Sequence, residues 1–162
     1  MLDVFTVAFF GHREIEQFHD IGNALEKLIS ELLLKHEYVE FLVGRNGDFD
    51  QMVSSTVREV RNRLGCRNCS LTLVLPYMTA EFRDNEESFL SYYDEVEICQ
   101  ASASIHFKAA IQTRNKEMTE RADLVVFCVD HASGGAYQTL KYVKTNQIPY
   151  INISEKGAGW GL

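Results

Sequence analysis

Short, nearly unbroken apolar runs alternate with longer stretches in which apolar residues recur every three or four positions. Residues 4–10 form one such run, stopped by Gly11. A continuous run of this length reads as a strand buried on both faces. Phe18, Ile21, Leu25, Leu28, Ile29, Leu32 and Leu33 then follow helical spacing. Residues 38–43 are a second strand, ended by Gly44. Val53, Val57, Val60 and Leu64 line one face of a helix over 50–64, and residues 71–75 form a third strand, ended by Pro76. The second half predicts a helix over 80–92, a short strand over 95–99, a helix over 106–121 and a strand over 123–129. A helix over 136–145 and a strand over 150–153 follow.

Strands joined by helical crossovers run parallel. The expectation is an α/β chain with a Rossmann-like, doubly wound, mostly parallel sheet in three α/β/α layers. Residues 1–156 are expected to form one domain, and the glycine-rich residues 157–162 a flexible tail.

Ligands in such sheets bind beyond the carboxyl ends of the strands. Gly11, His12 and Arg13 leave the first strand: Arg13 suits a bidentate phosphate contact, and His12 suits hydrogen bonding or proton transfer. Gly44, Gly47, Asp48 and Asp50 follow the second strand. Their carboxylates suit either ribose hydroxyls or capping of the helix behind them. Ser133, Gly134, Gly135 and Ala136 open a helix, where exposed N–H groups and the helix dipole favour an anion. Arg114 and Asn115 lie on a helix, where charged side chains are ordinarily solvated.

The 162 residues carry a net charge of −7 without any basic run. This balance argues against nucleic acid as the main partner and leaves room for a local anion site. Cys66 and Cys69 have zinc-knuckle spacing without a second pair, and Cys99 and Cys128 sit in apolar runs; no metal site is expected. The first residues lack the basic start of a signal peptide, and no apolar run reaches the roughly 20 residues of a membrane span. A cytoplasmic protein with no membrane partner is expected, and a homodimer is compatible with the pattern.

The stretches Arg114-Asn115-Lys116-Glu117-Met118, Ala122-Asp123-Leu124-Val125-Val126 and Ser133-Gly134-Gly135-Ala136 resemble the second half of the SLOG superfamily. That superfamily unites Smf/DprA proteins with the LOG phosphoribohydrolases. Phe9-Phe10-Gly11-His12-Arg13 and Leu42-Val43-Gly44 through Gly47-Asp48-Phe49-Asp50 look like its YspA/YpsA-like branch. The resemblance implies a pocket lined by Gly11, Arg13, Gly44, Asp50, Arg114, Asn115, Ser133, Gly134 and Gly135, with the glycine loop holding phosphate. LOG enzymes carry a catalytic Glu where this chain has Lys141. LOG-type cleavage would therefore need Asp48, Asp50 or Glu117 to stand in, and no catalytic residue is assigned.

The reading that follows is a domain that binds or senses a phosphate-bearing small molecule derived from a nucleotide, such as an ADP-ribose-like ligand. One alternative is a hydrolase, either a LOG-like nucleoside-monophosphate phosphoribohydrolase or one acting on NAD or ADP-ribose derivatives. Another is a protein-interaction module with a vestigial pocket, built on the aromatic, acidic stretch 77–93.

Overall fold

A computed structural model describes residues 2–154. The predicted tail, residues 157–162, lies outside the described residues. Six strands form one sheet: β1 (Val4–Gly11), β2 (Tyr38–Val43), β3 (Cys69–Leu75), β4 (Glu95–Ile98), β5 (Leu124–Cys128) and β6 (Tyr150–Asn152). All neighbouring pairs are parallel, in the order β4-β3-β2-β1-β5-β6. The expected mostly parallel sheet is thus wholly parallel, and its strand order reverses between β1 and β5.

The helices α1 (Phe18–Lys35) and α2 (Asp48–Leu64) cover one face, and α5 (Phe107–Arg121) and α6 (Gly135–Thr145) cover the other. The predicted helix over 80–92 is broken into α3 (Ala80–Asp84) and α4 (Glu86–Tyr92). Asn85 interrupts it: its backbone leaves the helical range and its side chain donates to the Glu81 carbonyl.

Alternate residues of the central strands feed two separate cores. Val7, Phe9, Phe41, Val43, Leu71 and Leu73 pack under α1 and α2. Ala8, Phe10, Leu42, Val74, Val125 and Phe127 pack under α5 and α6. Burying both faces explains why the strands read as continuous apolar runs. The aromatic stretch joins the first core: Phe82, Phe89 and Tyr93 are buried there, and Tyr92 packs against them. These rings are core rather than a free surface, which removes the observation that favoured an interaction module. No helix among the described residues is long and apolar enough to cross a membrane.

Gly11 closes β1 because of packing, since a Cβ there would lie 2.4 Å from the Phe49 ring, well inside contact distance. Gly11→Ala is expected to destabilise the protein by about 1–3 kcal/mol through overpacking. Urea denaturation would measure this, and a loss below about 0.5 kcal/mol would show that Phe49 yields freely.

Candidate functional site

The reversal of strand order opens a crevice at the carboxyl ends of β1 and β5, whose last residues, Gly11 and Cys128, pair directly. A cleft of about 350 Å³ fills this position. Gly11, His12, Arg13, Gly44, Asp50, Arg114, Asn115, Ser133, Gly134, Gly135 and Ala136 all line it. The three glycine turns therefore converge on one side of the molecule, and the space between them is open.

Arg114 forms the floor. Its place on α5 suggested a solvated side chain, yet it is only 2 % exposed. Nη1 donates to the Val74 carbonyl at 2.7 Å, and Nε donates to Asn115 Oδ1 at 2.9 Å. Asn115 passes the restraint on: its Nδ2 donates to Thr139 Oγ1, which donates to the Gly135 carbonyl. The guanidinium is thereby tied to the first turn of α6, where an anion would dock. No carboxylate lies within ion-pair distance of it among the described residues, so its charge is only partly compensated. Burial lowers its affinity for its proton, and the neighbouring Asp50 partly restores it.

Asp50 is also buried. Desolvation raises its pKa, against the pull of the Asn46 N–H and of Arg114. Its Oδ2 accepts the Asn46 N–H at 2.8 Å, so it braces the loop after β2 instead of capping α2. Gly44 lets Asp50 and Arg114 come close: a Cβ there would lie 3.1 Å from Asp50 Oδ2 and 3.3 Å from Arg114 Nη1.

Two expected lining residues are elsewhere. Asp48 does not reach the cleft and does not cap α2. Its Oδ2 accepts the Ile15 N–H, its own N–H donates to the Arg13 carbonyl, and its outer side borders a separate hollow of about 630 Å³. Gly47 is pressed against the Arg13 backbone, where a Cβ would meet Cα at 2.4 Å. Both residues act at one remove, by pinning the loop that carries Arg13. Glu117 and Lys141 are also outside the cleft: Glu117 faces Arg121, and Lys141 reaches over the Tyr137 ring. Of the carboxylates considered as substitutes for the LOG-type Glu, Asp50 alone borders the cavity.

The rim was only partly foreseen. Glu14, Asn46, Ile111 and His131 also line the cleft. His131 was legible on the same grounds as Ser133, since it lies just beyond the carboxyl end of β5. His12 Nε2 accepts the Asp130 N–H at 3.2 Å, and its ring stacks on His131 at 3.6 Å between centroids. Burial chiefly, and then His131, lower the pKa of His12, while Asp130 opposes them. Gly134 has φ +90°, a conformation that favours glycine, and this turns the N-terminus of α6 toward the cleft.

No family model matches the chain, and no curated protein matches it in sequence. Among solved structures it is similar to DNA processing protein A from Helicobacter pylori, with a TM-score of 0.60 and 14 % identity over 90 % of this chain. It is also similar to DNA processing protein A (DprA) from Streptococcus pneumoniae, with a TM-score of 0.51 and 10 % identity over 93 % of this chain. The chain spans 63 % and 59 % of those proteins, so it corresponds to part of each. At these identities the likeness is one of fold. The Helicobacter pylori protein is described as having a unique single-stranded DNA binding mode. That finding overturns the argument from net charge against a nucleic-acid partner, because this fold is compatible with DNA binding. The physical reason is that total charge averages over the whole surface, whereas binding follows the local field of a cleft.

The raised pKa of Asp50 carries a sign. Unfolded, its carboxyl loses its proton near the ordinary 3.8; folded, it holds the proton to higher pH. The folded state therefore binds more protons in that window, and this group lowers stability as pH rises through it. Asp50→Asn keeps an acceptor for the Asn46 N–H and removes the charge. Its stability relative to wild type is expected to improve from pH 4 to pH 7 in parallel urea titrations. A pH-independent difference would contradict the buried-carboxyl account.

Proposed function

We propose that the cleft binds the phosphate of a nucleotide unit. The observation that carries this reading is the buried, partly compensated guanidinium of Arg114 facing an open cavity opposite the N-terminus of α6. A buried charge of this kind is costly unless something pairs with it, and a phosphate offers the bidentate acceptor that a guanidinium fits. The Gly134–Gly135 turn adds backbone N–H groups and the positive end of the helix dipole. Arg13 at the exposed rim supplies a second cation, and the volume suits a small ligand.

The shared chemistry has two sources. One is a small nucleotide derivative such as an ADP-ribose-like molecule, as the motif resemblance implies. The other is a phosphate of single-stranded DNA, which the fold shared with the DNA processing proteins brings forward. Holding is favoured over cleaving, because the LOG-type Glu position is Lys141 and the candidate substitute that borders the cavity, Asp50, is a buried group engaged by the Asn46 N–H beside Arg114.

The test is thermal shift and calorimetry of the whole chain with AMP, NAD, ADP-ribose, a cyclic nucleotide and a 5′-phosphorylated single-stranded oligonucleotide. At least one should stabilise the protein at millimolar concentration, since a ligand of the native state must do so. Binding of the mononucleotides points to the small-molecule source, and binding of the oligonucleotide alone points to DNA. Arg13→Ala, at an exposed site, and Arg114→Lys, which keeps charge but loses the fork, should each weaken binding about tenfold. No stabilisation by any ligand, or binding indifferent to both variants, would sink the proposal. Release of ribose 5-phosphate from AMP would replace binding by hydrolysis.

A further inference from the structure

We infer that His12, Asp130 and His131 form a site for a divalent transition-metal ion at the mouth of the cleft. Asp130 Oδ1 lies 2.7 Å from His131 Nδ1 and 3.4 Å from His12 Nε2. One ligand atom from each residue falls within 4.8 Å of the others. An ion with tetrahedral bonds of about 2.0–2.2 Å holds adjacent ligands roughly 3.3–3.6 Å apart, so the His12–Asp130 pair already fits and the His131–Asp130 pair must open. The side chains of Asp130 and His131 are 63 % and 56 % exposed. Burial therefore does not force them together, and they are free to adjust.

Loading involves three changes. The proton through which His131 Nδ1 now donates to Asp130 Oδ1 moves to Nε2 by tautomer exchange, which frees the Nδ1 lone pair. The exposed His131 ring tilts out of its stack on His12, because parallel rings direct their lone pairs side by side. The lone pair on His12 Nε2 exchanges the 3.2 Å bond from the Asp130 N–H for the ion. His12 is held by its neighbours: its backbone N–H donates to the Cys128 carbonyl, and its side chain is 10 % exposed. It supplies the fixed ligand, and the Asp130–His131 pair supplies the adaptable ones.

Two imidazoles and one carboxylate suit Zn²⁺ and its first-row neighbours. Mg²⁺ and Ca²⁺ take oxygen ligands. Three protein ligands leave coordination positions open. The ion would add positive charge at the mouth of the cleft, which His12 and His131 both line. The other cluster of potential ligands among the described residues, Glu40, Glu95 and Glu97, already holds a cation: Arg121 bonds to Glu97 at 2.7 Å and to Glu40 at 3.3 Å.

This site does not depend on the nucleotide reading, and its test contains no nucleotide. The chelator-treated chain is titrated calorimetrically with Zn²⁺, and the visible spectrum is recorded with Co²⁺. One equivalent of Zn²⁺ should bind, and Co²⁺ should give the absorption of a mixed nitrogen and oxygen set. His131→Ala and Asp130→Ala, both at exposed positions, should each weaken Zn²⁺ binding by about tenfold or more, with circular dichroism reporting an intact fold. His19→Ala, on the exposed side of α1, should leave binding unchanged. No binding at millimolar Zn²⁺, or equal affinity in wild type, His131→Ala and Asp130→Ala, would overturn the assignment.

Discussion

A guanidinium that is 2 % exposed, without a carboxylate at ion-pair distance among the described residues, constrains much of the molecule around it. Removing a charge from water costs several kcal/mol in real proteins, and the neighbouring groups must offset that cost. Here the offset comes from the Val74 carbonyl at the end of β3, from the Asn115 side chain and from Asp50 across Gly44. The inner face of α5 reflects this arrangement. Its buried residues are Ala110, Arg114, Asn115, Met118 and Thr119, so polar bonds as well as apolar contact hold the helix to the sheet. Because Asn115 bonds to Thr139 and Thr139 bonds to the Gly135 carbonyl, the charge and the glycine turn form one rigid unit. Preorganisation of this kind lowers the ordering cost when a ligand binds.

The glycines of the cleft serve different physical needs. Gly134 needs its backbone conformation. Gly11 and Gly47 need the absence of a side chain, because the Phe49 ring and the Arg13 backbone occupy the space a Cβ would take, while at Gly44 a Cβ would press on the Asp50–Arg114 pair at 3.1–3.4 Å. The second loop therefore works largely as support. Asp48 fastens the first loop through the Ile15 and Arg13 backbones, and Arg45 turns away to bond with Glu81 and Tyr93 over the Phe89 ring. Among the described residues, the Arg and Lys side chains at the cleft are Arg13 at the rim and Arg114 on the floor.

Net charge proved a poor guide because the acidic groups are spread over the molecule while the cleft gathers cationic and N–H donors. Arg121, for example, is absorbed by Glu40, Glu97 and Glu117 outside the cleft, where it neutralises acid and offers nothing to a ligand. The same fold occurs in DNA processing proteins with 14 % identity or less to this chain. At that distance the architecture is shared, and the chemistry of the cleft has to be argued from this chain's own residues.

The order of the strands, their parallel pairing, the helices apart from the break at Asn85, and the position of a cleft beyond the first and fifth strands were legible from sequence. Runs such as residues 41–43 and Leu124–Cys128 are buried on both faces, and continuous burial leaves a continuous apolar pattern. The glycines at 11, 44 and 134 marked the strand and helix ends that border the site, because turns and close contacts leave few alternatives. Tertiary structure alone decided which polar residues face inward. Arg114 sits on a helix whose sequence has little amphipathic signal, and only the approach of β3, Gly44 and Asp50 buries it. Asp48 and Asp50 are two residues apart and chemically alike. The helix turns one toward the Arg13 loop and the other toward the cleft, and neither composition nor spacing distinguishes them. Contacts between residues distant in the chain, such as Arg114 with Val74 or His12 with Asp130, leave no local periodicity to read, so they become visible only once the sheet has brought their strands together.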